Sequence, residues 1–238
     1  MIKKIKEIKE PYIAAETPLY IVVGKPHNMH TAPLNAGDEG TLLGWCARLY
    51  PEVAAVCGRK PVEGGLLHRL DYETAGLVLV ARAQAAYNFL SAEQEAGRFA
   101  KDYTAVAREL PPDALTVWRA KAAPMPVPGI ISSGFRHYGP GRKLVKPEMA
   151  SGQISPDRQY ETQVLGMREH GADTVFHVRL VRGFRHQIRA HLAWAGYPIN
   201  NDLRYGGADT GGTLGLAACR LMFPDPEKGT RSVCIECL

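Results

Sequence analysis

What most narrows the folds open to this chain is the way its hydrophobic period switches between two and nearly four. Residues 160–165 and 174–181 alternate apolar with polar side chains, and Glu169-His170-Gly171-Ala172-Asp173 between them has turn composition. That predicts a β-hairpin. Residues 20–23 and 77–80 are short apolar runs of the buried-strand kind, the first stopping at Gly24-Lys25-Pro26, and residues 101–107 alternate. Helical spacing appears at 41–50 through Leu42, Leu43, Cys46 and Leu49. It returns at 84–97, with Ala85, Phe89 and Leu90 as an inward stripe, and at 186–194, where Ile188, Leu192 and Ala195 share a face. Gly97, and Gly196 followed by Pro198, have the chemistry of helix ends. Strands and helices do not alternate as βαβ units. The expectation is an α+β fold, a mixed, mainly antiparallel central sheet with flanking helices, in one domain over residues 1–238.

Hydrophobic residues at 45% against 22% charged give a globular balance and exclude a disordered chain. No apolar stretch reaches bilayer length, so no membrane role is expected. Residues 1–10 alternate Ile with Lys and Glu and lack the apolar core of an export signal. Five cysteines, an odd number, make no disulfide framework and predict reduced thiols in a cytoplasmic protein. Cys234 and Cys237 lack the second pair that zinc needs, since Cys46 and Cys57 do not supply one. A buried C-terminal strand is expected there, with no metal. A net charge of +5 suits a polyanionic partner. Residues 124–158, rich in Pro and Gly and holding Arg136, His137, Arg142, Lys143 and Lys146, read as an exposed cationic loop with room for a short strand.

The run His68-Arg69-Leu70-Asp71-Tyr72-Glu73-Thr74-Ala75-Gly76-Leu77 sets one carboxylate between a basic pair and a glycine, at the mouth of a strand. An Asp that merely turns the chain by bonding nearby amides is the ordinary explanation. A second basic run, Arg185-His186-Gln187-Ile188-Arg189, tips the balance toward chemistry. Arg185 and Arg189 are four apart, which would put both on one side of a helix's first turn. His186 and His191 are five apart, which is not the i, i+4 spacing of a helical metal pair, so both are read as hydrogen-bonding residues that shape a cleft.

The first run resembles the signature of the RluA-type pseudouridine synthases, and three further matches follow that family's order. Val22-Val23-Gly24-Lys25-Pro26 is similar to its first motif and Lys101-Asp102-Tyr103-Thr104-Ala105-Val106 to its Lys-x-Tyr strand. Gly183-Phe184-Arg185-His186-Gln187-Ile188-Arg189-Ala190-His191-Leu192, Gly196-Tyr197-Pro198-Ile199 and Asp202-Leu203-Arg204-Tyr205-Gly206 are similar to its third motif and tail. Ordered motifs at the right spacing are far more specific than any one alone. Two positions depart from the pattern. Thr74-Ala75-Gly76 stands for the frequent Thr-Ser-Gly. Arg182-Gly183-Phe184 stands for the usual Thr-Gly-Arg, with an arginine one place later at Arg185. The chain also starts too close to the motifs to hold the S4 RNA-binding domain of many relatives, so no S4 domain is expected.

The resemblance implies the pseudouridine synthase catalytic fold and an isomerase. It would break the bond from uracil N1 to ribose C1′, turn the base and rejoin it through C5. No atom is exchanged, so no cofactor, metal or ATP is implied. Asp71 takes the place of the catalytic aspartate, acting either as nucleophile or as a base on the sugar. Arg189 takes the place of its cationic partner, which by charge alone would hold a carboxylate ionised. Tyr103 takes the place of the residue that stacks on uracil; a free phenol titrates near 10 and makes a poor base. The uridine must leave its stack to react. Arg69 is placed to touch the flipped nucleotide, His68 to assist or to support the turn, and Lys25 to meet phosphate. His186 and Gln187 complete the expected substrate-binding set. The expected partner is ribosomal or transfer RNA, and monomer is the default state. Two other readings stand beside this one: a catalytically silent RNA-binding protein of the same fold, and a nucleoside glycosidase using Glu73 as second acid.

Overall fold

Two runs buried at every residue frame the first part of the structure: β2 (Tyr20–Lys25) and β3 (Ala75–Ala81). The computed structural model describes residues 8–34, 38, 40–111, 128–148, 158–229 and 232–236. The chain divides into two compact units, residues 1–101 with 217–238, and residues 102–216.

In the first unit β2 and β3 pair antiparallel from Tyr20↔Ala81 to Lys25↔Gly76. A strand covered on both faces needs an unbroken apolar run, which is what both sequences supply. β1 (Tyr12–Glu16) adds antiparallel to β2. On the far side β9 (Leu216–Pro224) runs parallel to β3 at Ala75↔Ala217 and Gly76↔Ala218, and β10 (Ser232–Glu236) pairs antiparallel with β9. One parallel pairing among antiparallel ones makes the sheet mixed. Tyr20, Phe99 and Phe223 meet edge to face, with centroids 5.3 and 5.7 Å apart, the arrangement that ring quadrupoles prefer. Helix α3 (Gln84–Glu95) adds Ala86 and Leu90 to that core. Helix α1 (Leu42–Leu49) starts at Thr41, whose hydroxyl accepts from Gly44 N at 3.1 Å and satisfies an otherwise orphaned first-turn amide. The short α2 (Glu52–Ala55) follows.

In the second unit β4 (Ala100–Ala107) lies beside β8 (Asp173–Leu180), and Arg179 grips Asp102 through two hydrogen bonds of 2.7 and 2.9 Å. β8 pairs with β7 (Tyr160–His170), β7 with β5 (Gly129–Tyr138) and β5 with β6 (Leu144–Glu148), all antiparallel. Helix α4 (Gln187–Trp194) is buried at all eight positions. His191 anchors it, exchanging hydrogen bonds with Ser133 Oγ at 2.9 Å and Thr162 Oγ1 at 2.8 Å. Burial pulls that imidazole down to about 3, so it is neutral.

The α+β expectation holds, as do the hairpin and the three helices, with local corrections. β2 runs on through Gly24 and Lys25, because both still offer backbone amides to the ladder before Pro26 ends it. Leu49 and Ala85 are exposed, and Ala86 replaces Ala85 on the inner face of α3. Arg185 lies outside α4: His186, with φ of +53°, is the residue before its first turn, so Arg185 and Arg189 do not share a helical face. Among residues 124–158 the expected loop holds two paired strands, β5 and β6, and Arg136 is bound to Glu148 at 3.1 Å. Residues 124–127 and 149–157 of that segment lie outside the described residues, as do residues 1–7 and Cys237. The C-terminal strand exists, but it is an edge strand and Cys234 is exposed. Among the described residues no helix is long and apolar enough to cross a membrane.

Gly76 sits where β3 begins, with φ of +123°, and a Cβ there would run into the backbone of Ala218 on the parallel neighbour. Both strain and collision oppose a side chain at this position. Gly76→Ala is expected to lower the unfolding free energy by at least about 3 kcal/mol, read from urea denaturation of the purified protein.

Candidate active site

Asp71 is half-buried in a loop whose backbone is tied down residue by residue. Thr31 holds Leu70 at both ends: its hydroxyl donates to Leu70 O at 2.8 Å and accepts from Leu70 N at 3.1 Å. Asp71 O accepts from Thr74 N at 3.1 Å, closing a tight turn. Tyr72 O accepts from Met29 N and from Lys25 Nζ, both at 3.2 Å, and His27 Nδ1 donates to Glu73 O at 2.6 Å. Four consecutive carbonyls are thereby satisfied, three of them by the segment that follows β2. A loop wired this way presents one carboxylate in one place, which is what a nucleophile or a base requires.

Lys25 is fully buried, and its ammonium meets three backbone carbonyls: Pro26 at 2.9 Å, Met29 at 2.8 Å and Tyr72 at 3.2 Å. All three donors of a lysine are thus engaged. This corrects the phosphate contact expected of Lys25: it positions the aspartate loop instead. Burial pulls the amine down from 10.5 to about 7, opposed by the negative charges of Asp71 and Glu73.

His68 and Arg69 take different roles. His68 Nε2 accepts from Leu79 N at 3.2 Å, so the ring proton is assigned to Nδ1, which is buried and has no hydrogen-bond partner among the described residues. Burial, and then the charge of Lys101, keep this imidazole neutral. The ring sits edge-on to Phe99 at 5.4 Å, which makes His68 a support of the turn. Arg69 is exposed, and its Nη1 bonds Glu63 Oε1 at 2.9 Å. A half-tethered guanidinium at the surface retains donors for a nucleotide. Thr74, directly after the turn, buries a hydroxyl that has no partner among the described residues.

In the second unit Tyr103 is buried on β4, and Arg189 is buried on α4. Nε and Nη2 of Arg189 meet the two oxygens of Asp202 at 2.6 and 2.8 Å, a two-point pair with both side chains almost wholly buried. The Arg189 guanidinium also lies over the ring of Tyr205, 5.3 Å from its centroid. Tyr205 Oη accepts from Val145 N at 3.0 Å and bonds His186 Nδ1 at 3.0 Å, and burial raises its pKa. His186 is thereby held in its left-handed backbone conformation, where a non-glycine residue is uncommon. Gln187 donates to Glu161 O and Thr162 Oγ1 and accepts from Phe184 N. Its amide is engaged by protein, so Gln187 fixes the start of α4 and does not serve substrate, contrary to expectation.

Sequence reasoning missed Thr31, His27 and Asp202. The first two offered no signal, since a single Thr or His after a strand is ordinary. Asp202 was within a quoted motif but carried no role, because nothing in spacing shows that it faces Arg189.

A family model for RNA pseudouridylate synthase matches residues 19–194. The chain belongs to the RNA pseudouridylate synthase family. Its motifs place it with the RluA type, in keeping with its relatives. Against an uncharacterised RNA pseudouridine synthase of Chloroflexus aurantiacus it is 30% identical over 182 residues, 76% of this chain and 50% of that one. Against the ribosomal large subunit pseudouridine synthase D of Pseudomonas aeruginosa it is 29% identical over 188 residues, 79% of this chain and 51% of the other. The chain thus spans about half the length of the curated relatives it matches. Among solved structures, human RNA pseudouridylate synthase domain containing 1 shares the fold, with a TM-score of 0.64 at 22% identity, covering 99% of this chain and 86% of the human one. Human RNA pseudouridylate synthase domain containing 4 gives 0.62 at 18% identity, covering 95% and 87%.

Lys25→Met takes the ammonium donor from the carbonyls of Pro26 and Met29 and one of two donors from that of Tyr72, and should cost about 2–4 kcal/mol of stability. Because the folded amine titrates near 7 and the unfolded one near 10.5, the unfolded chain holds the extra proton in between. The contribution of Lys25 to stability therefore grows as pH rises from 7 to 10.5. Denaturation of wild type and Lys25→Met across that range should diverge upward; parallel curves would show a lysine that is not buried as described. Asp202→Ala strands the buried Arg189 charge, with an expected cost of about 3–5 kcal/mol in the same assay.

Proposed function

We propose that this chain isomerises uridine to pseudouridine in structured RNA, with Asp71 as the catalytic aspartate. The observation that carries the reading is the tied loop around Asp71, lying inside the family match at residues 19–194. A turn that served only to reverse the chain would not need a buried lysine and a buried threonine to hold consecutive residues of it.

In this reading Asp71 attacks the sugar or base, or removes a sugar proton; either route breaks N1–C1′ and forms C5–C1′. N1 gains a proton and C5 loses its hydrogen to solvent, so the atoms balance with no cofactor. Tyr103 takes the part of the stacking platform and Arg189 that of the cation for the aspartate. Arg69, tethered by Glu63 yet exposed, takes the nucleotide-contacting part. Large-subunit ribosomal RNA is the first substrate to try, supported by what the names of relatives such as that of Pseudomonas aeruginosa say of those proteins.

Tritium release from RNA carrying 5-tritiated uridine tests the reaction directly. Wild type should release tritium from ribosomal RNA lacking the modification, and Asp71→Asn should lower the rate by roughly a thousandfold or more with the fold intact. Undiminished release by Asp71→Asn would end the assignment.

A further inference from the structure

Phe184 occupies the position at which the family motif usually carries an arginine, and its surroundings in the second unit suggest what replaced that charge. The ring lies flat against Phe135, with centroids 5.1 Å apart and an interplanar angle of 3°. Tyr160 approaches the same ring at 4.8 Å and His137 at 5.8 Å. The guanidinium of Arg182 lies 4.7 Å over the Tyr160 ring. Phe135, Tyr160 and Phe184 are half-buried and His137 is exposed, so the cluster reaches the surface. Its inner side rests on Val145, Ala190, Ala193 and Tyr205, a rigid base.

The charges around it are mostly of one sign. Arg182 and Arg185 are exposed, as are Arg142 and Lys143 beside the turn between β5 and β6. Among the described residues none of these four has a carboxylate partner, while Arg136 is neutralised by Glu148. Partly exposed rings, set among arginines that lack carboxylate partners among the described residues, match the chemistry of unpaired RNA: bases stack on the rings and guanidinium groups meet phosphates. A duplex keeps its bases stacked on one another and offers no free face to such rings.

We propose that this aromatic and arginine patch, centred on Phe184, is a stacking site for an unpaired nucleotide of RNA, separate from the residues assigned to the reacting uridine. It rests on the reading of the chain as an RNA-modifying protein. The patch supplies binding, and the salt dependence of that binding comes from Arg182 and Arg185.

The test uses the full chain and a short single-stranded RNA of about a dozen nucleotides carrying one 5-iodouridine. Irradiation should crosslink the RNA to Phe184, Tyr160 or His137, located by mass spectrometry, and the same strand in a duplex should not crosslink there. Phe184→Leu keeps an apolar group on the core and removes the ring; it should weaken single-strand binding at least about fivefold with Tm unchanged. Changing Arg182 and Arg185 together to Gln should reduce the slope of log affinity against log salt by about 1.4. Crosslinks confined to other segments, or unaltered binding by Phe184→Leu with a lowered Tm, would identify the ring as a lid on the core and overturn the proposal. These readouts are of binding alone. A wild-type protein that crosslinks at the patch yet releases no tritium would refute the isomerase reading and leave the patch standing.

Discussion

The structure of the first unit turns on one constraint: the backbone of a half-buried loop cannot be left without hydrogen-bond partners. Residues 70–73 precede the ladder of β3, so their carbonyls need hydrogen-bond donors from elsewhere. The segment from Lys25 to Thr31 provides them for Leu70, Tyr72 and Glu73, through Lys25 Nζ, His27 Nδ1, Met29 N and Thr31 Oγ1, and Thr74 N serves Asp71 O. Each of these bonds is worth only about 1 kcal/mol net. Their effect on geometry is larger, because four successive carbonyls leave the chain no rotation that keeps all bonds. The position of Asp71 is therefore set from a strand end some 45 residues away, as the 47-residue separation of Lys25 and Tyr72 shows. Gly76 belongs to the same arrangement, since its missing side chain lets β9 approach just where the loop rejoins the sheet.

Among the described residues three lysine or arginine side chains are buried, and the protein treats each differently. Arg189 is matched by a carboxylate in two-point geometry, so it stays charged. Lys25 has only carbonyl dipoles in contact, and burial brings it to about 7. Lys101 lies 5.2 Å over the Phe99 ring and is brought by burial to about 8. A guanidinium resists deprotonation and a primary amine does not, which suits Arg at the position needing permanent charge. Lys25 loses little as a clamp when neutral, because an amine still donates two hydrogen bonds. The choice of residue thus follows from whether a charge or only a donor is wanted.

Strands, helices and the α+β class were legible because period and turn chemistry are local properties. Residues 20–23 and 77–80 announced themselves as buried strands by apolar runs, and the β7–β8 hairpin by alternation. The segment 129–148 was misread for a local reason too: Gly, Pro and Arg signal loops, yet β5 and β6 tolerate them because their outer faces are wet. The site was legible as positions and not as contacts. Lys25 and Gln187 were expected to meet substrate because sequence does not show burial. Asp202 shows the same limit, since its pairing with Arg189 depends on how the chain returns after Gly196.

The buried polar groups of α4 explain why that helix could be found and still be misdescribed. A lone apolar stripe through Ile188, Leu192 and Ala195 implies a wet opposite side, where Gln187, Arg189 and His191 would sit. All three are buried, and each has been given a protein partner: Glu161 and Thr162 for Gln187, Asp202 for Arg189, and Ser133 and Thr162 for His191. A helix of only eight residues gains little from its own hydrogen bonds. Polar side chains that must find particular partners give it a unique seat, where an all-apolar helix could slide or rotate. The polar pattern that marks a solvent-facing surface in most helices is here the pattern of a fixed one, and it holds Arg189 and His186 in a single orientation.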